Sequence, residues 1–281
     1  MCLIAFAIGA SERCPLVIAS NRDEFLDRPT LPLGRWKMDG GQEIISGRDL
    51  RAGGTWLGTS PQGRVAFITN VREAEPKVAA FSRGKLVTRW LESDTDAASF
   101  AALLEKDSPN YGGFNLVLGD VMRNEWTWMT NRPSVSLSGL HCQTLERGIY
   151  GLSNAALDTP WLKTLALKTA LKVSLQQEAK SDLQDDSWQD PLWTSLANRV
   201  RSSIDNLPMT QSRQAMEAAL SSAFVAFPEH GYGTRTSTLL VARSLSKPIP
   251  GKFLRIDMAE HTYLHDRIDE VPSVSFISFN I

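Results

Sequence analysis

Apolar residues in the first third of the chain come in short runs: Cys2 to Ile8, Pro15 to Asn21, Thr55 to Thr59 and Arg64 to Asn70, separated by Gly, Pro, Asp and Ser. Runs this short between turn residues predict strands. Pro15 suits a strand start, where its missing N–H matters least. From Arg83 to Glu105 the spacing lengthens. Leu86, Trp90 and Leu91, then Phe100, Leu103 and Leu104, follow a helical period on either side of a polar break at Ser93 to Asp96, which predicts two helices. Strand patterns resume at Gly113 to Gly119, Glu125 to Met129, Ser134 to Ser138 and Gly148 to Ser153. Pro160 stands where a first helical turn accepts proline, and Trp161 to Glu178 is rich in Leu, Lys, Ala and Gln, so a helix is predicted there. Helical patterns continue through Leu192 to Ile204 and Gln211 to Phe224, with Ala179 to Gln189 as a polar surface connection. Strand character returns at Thr236 to Ala242, Lys252 to Asp257, His261 to His265 and Ser273 to Phe279.

Strands and helices in these alternating blocks, without regular strand–helix alternation, predict an α+β fold rather than a parallel doubly wound one. Two antiparallel sheets covered by helices use the order well, in a single domain over residues 1–281. With 42% hydrophobic and 22% charged residues the chain is expected to fold around a sizeable core. Lys and Arg total 30 against 31 Asp and Glu, so no overall field favours nucleic acid or anionic lipid. Cys2 to Ala10 is apolar but has no basic leader and is too short to span a bilayer. A cytoplasmic protein without stable membrane insertion is expected.

Chemistry is narrowed next by what is missing. Cys2, Cys14 and Cys142 are too few for a disulfide framework, and no paired metal-ligand spacing occurs. His141, His230, His261 and His265 form no H-E-x-x-H pattern, and there is no G-x-S-x-G elbow. Gly53 to Gly58 lacks the spacing of a nucleotide loop; it reads as a tight turn entering a strand, with Trp56 as pocket wall or core.

Cys2 is the first candidate. Removal of Met1 would leave thiol and α-amine on one residue, and an α-amine with a pKa near 7.7–8.0 is partly a free base at neutral pH. The alternative is a buried apolar cysteine opening a core strand. Ser20 to Phe25, with Asp27 to Thr30, is a dense polar cluster directly after a strand, either functional or a solvated turn. Asn70 and Asn154 end strands, where an amide can donate to an oxyanion or simply make a turn. Arg235, among hydroxyls in Gly231 to Thr238, can orient a carboxylate or the Cys2 environment, or make a surface ion pair.

Taken together, the Met1-Cys2-Leu3-Ile4 start, Ser20 to Phe25 with Arg28-Pro29, Ser46 to Asp49, Gly53 to Gly58, Thr69-Asn70, Asn115-Leu116, Gly151 to Asn154 with Thr159 to Trp161, and Gly231 to Thr238 resemble the NRDE family of transport-and-Golgi-organisation proteins. That family in turn resembles the cysteine-type N-terminal-nucleophile hydrolases, which implies a four-layer αββα sandwich. The resemblance puts Cys2 on the nucleophile, Asp23 on the aspartate that holds its amine, Asn70 and Asn154 on the amide positions and Arg235 on the late arginine. Asn21, Arg22 and Trp56 are then expected to meet substrate. One departure stands out: the hydrolases carry Arg two residues before the position of Arg22, where this chain has Ser20. Residues two apart on a strand share a face, which lets Arg22 serve the same space. The implied function is hydrolysis of a carbon–nitrogen amide bond in a small acylated substrate through an acyl-enzyme, with no required cofactor. The alternative implied by the family is a non-catalytic carrier of haem, acyl-lipid or acyl-coenzyme A, with reversible haem ligation.

Overall fold

A computed structural model describes residues 2–38, 40–73, 79–132, 139–182, 185–203, 218–265 and 271–281. Its strands are β1 (Cys2–Ile8), β2 (Leu16–Phe25), β3 (Thr30–Lys37), β4 (Glu43–Asp49), β5 (Leu57–Thr59), β6 (Arg64–Asn70), β7 (Phe114–Asp120), β8 (Glu125–Thr130), β9 (His141–Thr144), β10 (Gly148–Leu152), β11 (Ala226–Phe227), β12 (Tyr232–Ile249), β13 (Lys252–Thr262) and β14 (Ser273–Asn280). Helices are α1 (Gly84–Glu92), α2 (Ala97–Asp107), α3 (Leu162–Glu178) and α4 (Asp190–Leu196). One antiparallel sheet runs β10-β1-β2-β12-β13-β14, with β11 beside β12; the other runs β3-β4-β5-β6-β7-β8-β9.

Strand parity builds the layers. On β1, Ile4, Phe6 and Ile8 point between the sheets and meet Val65, Phe67 and Val117, while Leu3, Ala5 and Ala7 point outward to Leu167 and Leu171 of α3. Sheet two does the same in mirror: Ala66, Leu116 and Leu118 face Leu86 and Trp90 of α1. Because both faces of β1 are covered, it reads as a continuous apolar run rather than an alternating one. The result is the α+β, four-layer αββα sandwich that the resemblance implied. Asp96 caps α2 by accepting the Ser99 N–H at 2.7 Å, which explains why the chain breaks into two helices there. No helix among the described residues is long and apolar enough to cross a membrane.

Several boundaries differ from the sequence reading. The strand expected to stop at Asn21 runs to Phe25, because Tyr232 to Ser237 of β12 pair with Asn21 to Phe25 and give the polar stretch a ladder partner. The cluster is therefore strand, not a turn. β3 and β4 were not anticipated; their pairing shifts register between Leu31 and Gly34, which blurs the alternation. Edge strand β9 is exposed throughout and carries no apolar signal. β12 and β13 are longer than expected and merge separate runs. The helix expected to reach Ile204 ends at Leu196, and the Asn198 carbonyl instead accepts the Phe224 N–H at 2.8 Å. In the supposed surface connection, a 3-10 turn at Ser187–Gln189 buries Trp188. The strand expected at Ser134 to Ser138, and the first half of the helix expected from Gln211, lie outside the described residues.

Glu260 on β13 ties the two sheets together. Its carboxyl accepts the Leu33 N–H of β3 at 2.7 Å and the Thr238 hydroxyl at 3.2 Å, and burial pushes its pKa up from 4.5 to about 7. The folded state thus holds this proton more tightly than the unfolded chain, so stability falls as pH rises from about 4.5 to about 7. In Glu260→Gln, denaturant unfolding at pH 5 and pH 8 is expected to lack this loss, which amounts to about 3 kcal/mol in the parent. Identical pH dependence in the two proteins would refute the assignment.

Candidate active site

Cys2 opens β1 directly opposite Arg22 of β2, and Arg22 in turn lies opposite Thr236 of β12. Parity sends Cys2 and Arg22 to the face between the sheets, the same face as Ile4 and Phe6. At this end the apolar interior gives way to a cleft of about 430 Å³, to which Cys2, Arg22, Asp23, Trp56 and Asn70 all contribute. Five of the eight residues singled out from sequence thus converge on one cavity.

Arg22 is fixed from several directions. Its guanidinium stacks 4.4 Å from the Trp56 ring and lies 3.7 Å from both Glu24 and Asp49. Trp56 in turn lies over Gly47, where a Cβ would stand 2.3 Å from the indole; only glycine permits this approach. Asp49 also takes Arg28 at 2.8 Å. Since Ser20 and Arg22 share a face, Arg22 occupies the cleft although the earlier position holds serine.

Asp23 points to the other side of β2. Its Oδ1 accepts the Thr234 hydroxyl at 2.7 Å, and burial pushes its pKa up. Lys163 of α3, which sequence reading passed over, acts electrostatically on Asp23. Its ammonium donates to the Leu220 carbonyl at 2.8 Å, and burial lowers its pKa to about 8. The clue was present: Lys163 falls on the stripe of Leu167, Leu171 and Leu175, all buried at a spacing of four. Burial also pushes the Cys2 thiol up, so little thiolate exists near neutral pH without a base.

Asn154 follows β10. Ile4 pairs with Leu152, so one register step further sets Asn154 opposite Cys2, and the Ser153 hydroxyl donates to the Cys2 carbonyl at 3.2 Å. Asn154 Nδ2 donates to the Asn70 carbonyl at 3.2 Å, joining the ends of β10 and β6. Asn154 itself stands behind the residues that line the cleft.

Two expected positions need correction. Asn21 faces the helices: its Nδ2 donates to the carbonyls of Leu196 and Ala223 at 2.8 and 2.9 Å, and its Oδ1 accepts the Ser237 hydroxyl at 2.6 Å. Parity alone places it away from substrate. Arg235 sits where the β2–β12 register shifts, and Nη1 donates to the carbonyls of Phe25, Leu26 and Arg28, each at 3.0 Å. It clamps the turn after β2 rather than lining the cleft. Glu73 and Arg83, not singled out from sequence, do line it.

No group of three His, Cys, Asp or Glu able to hold a metal ion occurs among the described residues. The cleft walls are charged, and no histidine is among the described lining residues.

Fold and cleft together define a four-layer αββα sandwich with a cysteine at the start of its first strand. The Transport and Golgi organisation 2 family model matches residues 1–248. The chain belongs to this family, as its ordered motifs implied. It is 32% identical to the Transport and Golgi organization protein 2 homolog of Homo sapiens over 254 residues, covering 86% of this chain and 88% of that one. To the Drosophila melanogaster protein it is 26% identical over 264 residues, covering 88% and 89%. Among solved structures, the mutant C2A conjugated bile acid hydrolase from Clostridium perfringens superposes with a TM-score of 0.53 at 8% identity, covering 99% of this chain and 92% of that one. The Caenorhabditis elegans N-acylethanolamine-hydrolyzing acid amidase ortholog gives 0.49 at 11%, covering 85% and 92%. The first of these structures establishes the shared fold.

If Asn21 is structural, Asn21→Ala strands two buried carbonyls and costs about 3 kcal/mol of stability in denaturant unfolding, while the alkylation rate of Cys2 in the folded protein stays within about twofold. A large rate change with unaltered stability would return Asn21 to the site.

Proposed function

We propose that the chain is an N-terminal-cysteine amide hydrolase. The observation that carries this reading is the placement of Cys2 at the mouth of the inter-sheet cleft, with Arg22, Asp23 and Asn70 around it. Support of a second kind comes from the shared fold with a conjugated bile acid hydrolase whose solved form has alanine substituted for cysteine at position 2.

In the proposed reaction, loss of Met1 frees the α-amine of Cys2. The amine takes the thiol proton, and sulfur attacks the amide carbonyl to form a C–S bond. Asn70 stabilises the oxyanion, its end of β6 held by the Asn154 amide, and Asp23 holds the resulting ammonium. That ammonium returns its proton to the leaving nitrogen as the C–N bond breaks, and the amine departs from a thioester. Water, deprotonated by the same amine, attacks the thioester; sulfur leaves and recovers its proton. Because burial raises the thiol pKa, the adjacent base is required rather than helpful. All three cysteines are free thiols, which suits the reducing cytoplasm expected for this chain.

Intact mass first establishes Met1 removal, after which a panel of N-acyl amides is assayed. Cys2→Ala is expected to lower turnover by about 10³-fold or more, with the melting temperature little changed. Turnover that survives Cys2→Ala sinks the proposal. So does a processed protein that binds these amides saturably but forms no acyl-enzyme, which would describe a carrier.

A further inference from the structure

Among the described residues, the charges in the cleft are sorted into partnerships that leave one cation over. Arg22 and Arg28 share Glu24 and Asp49, at 2.8 to 3.8 Å. Glu73 is held by Arg132 at 2.8 Å and by the Gly113 N–H at 3.1 Å. Asp23 accepts the Thr234 hydroxyl. Arg83 lines the same cleft and makes no carboxylate ion pair among the described residues. Its hydrogen bond runs from Nη1 to the Gly113 carbonyl at 3.1 Å. That single anchor tethers the guanidinium at the cleft wall and leaves the rest of its donor fork available.

We propose that Arg83 is an anion subsite of the cleft, and that the molecule acted on at Cys2 carries a single carboxylate. A guanidinium matches a carboxylate through paired N–H donors. Half-buried, it has already lost part of its hydration, so a ligand carboxylate recovers more than it would at an open surface. A dianion such as a phosphate monoester is disfavoured, because with Glu24, Asp49 and Glu73 already paired Arg83 offers a single positive charge. The nucleophile belongs to the same electrostatic neighbourhood, since the Cys2 charge acts on Arg83. The inference rests on the hydrolytic reading for its role, but binding is measurable without turnover.

The test uses the full chain carrying Cys2→Ala, titrated by NMR with 6-acetamidohexanoate and with its neutral twin 6-acetamidohexanamide. The carboxylate is expected to bind about tenfold tighter than the amide. This ratio should fall close to one in Arg83→Gln and to an intermediate value in Arg83→Lys. It should also shrink as NaCl rises from about 0.05 to 0.5 M, a measurement that needs no substitution at Arg83 and decides the matter if Arg83→Gln does not fold. Equal affinities for the pair, no saturable binding of the carboxylate, or a preference unchanged in a folded Arg83→Gln overturns the subsite. A tenfold preference with no amide turnover on any substrate removes only the hydrolase reading; turnover of neutral amides with a ratio of one removes only the subsite.

Discussion

Everything at the site depends on β2 remaining a strand after it stops being apolar. From Ser20 to Asp23 four polar residues are buried in succession, a stretch that would be costly in a sheet interior without partners, about 1–3 kcal/mol for each unsatisfied group. The partners come from both faces. Outward, Asn21 and Asp23 take hydroxyls from Ser237 and Thr234 of β12; inward, Arg22 takes Glu24, Asp49 and the face of Trp56. Because these contacts come from the neighbouring strand, the loop after α4 and the second sheet, Asn21, Arg22 and Asp23 reach their partners only when the whole sandwich is assembled.

That dependence explains what was readable in the sequence and what was not. β1, β6, α1, α2 and α3 were legible because their periodicity follows from burial against one or two layers. Cys2, Arg22, Asp23, Trp56 and Asn70, read from sequence as a set of ordered motifs, line one cavity. Asn21 and Arg235 were misplaced because residue type says nothing of which face a strand presents. That became known only once β2 was seen to extend through the cluster and β12 to shift register beside it. Arg83 and Lys163 were missed for the converse reason: each sits in a helical segment whose composition looks ordinary, and only the tertiary fold brings it to the cleft or to Asp23.

The same burial that satisfies β2 sets the protonation chemistry. Desolvation raises both the Cys2 thiol and the Asp23 carboxyl and lowers Lys163 to about 8, so these three groups are pushed toward their neutral forms. A cleft of this kind cannot rely on a standing thiolate. It favours a nucleophile whose base travels with it, because a base on the same residue needs no second buried charge held ready at a distance.

Strand parity then sorts the polar residues of β2 by the neighbours that hold them. On β2 the outward pair, Asn21 and Asp23, are tied to the adjacent strand, with Asn21 fully engaged in holding α4 and the segment around Ala223. The inward pair, Arg22 and Glu24, belong to an ion-pair lattice with Arg28 and Asp49 that lies at the cavity surface. Such a lattice is already neutralised, so it shapes the opening without strongly attracting a charged ligand. Electrostatic selection must therefore come from a group outside it. Arg83 is delivered by the start of α1 rather than by either sheet edge, so Cys2 and this cation reach the cleft from different layers of the sandwich.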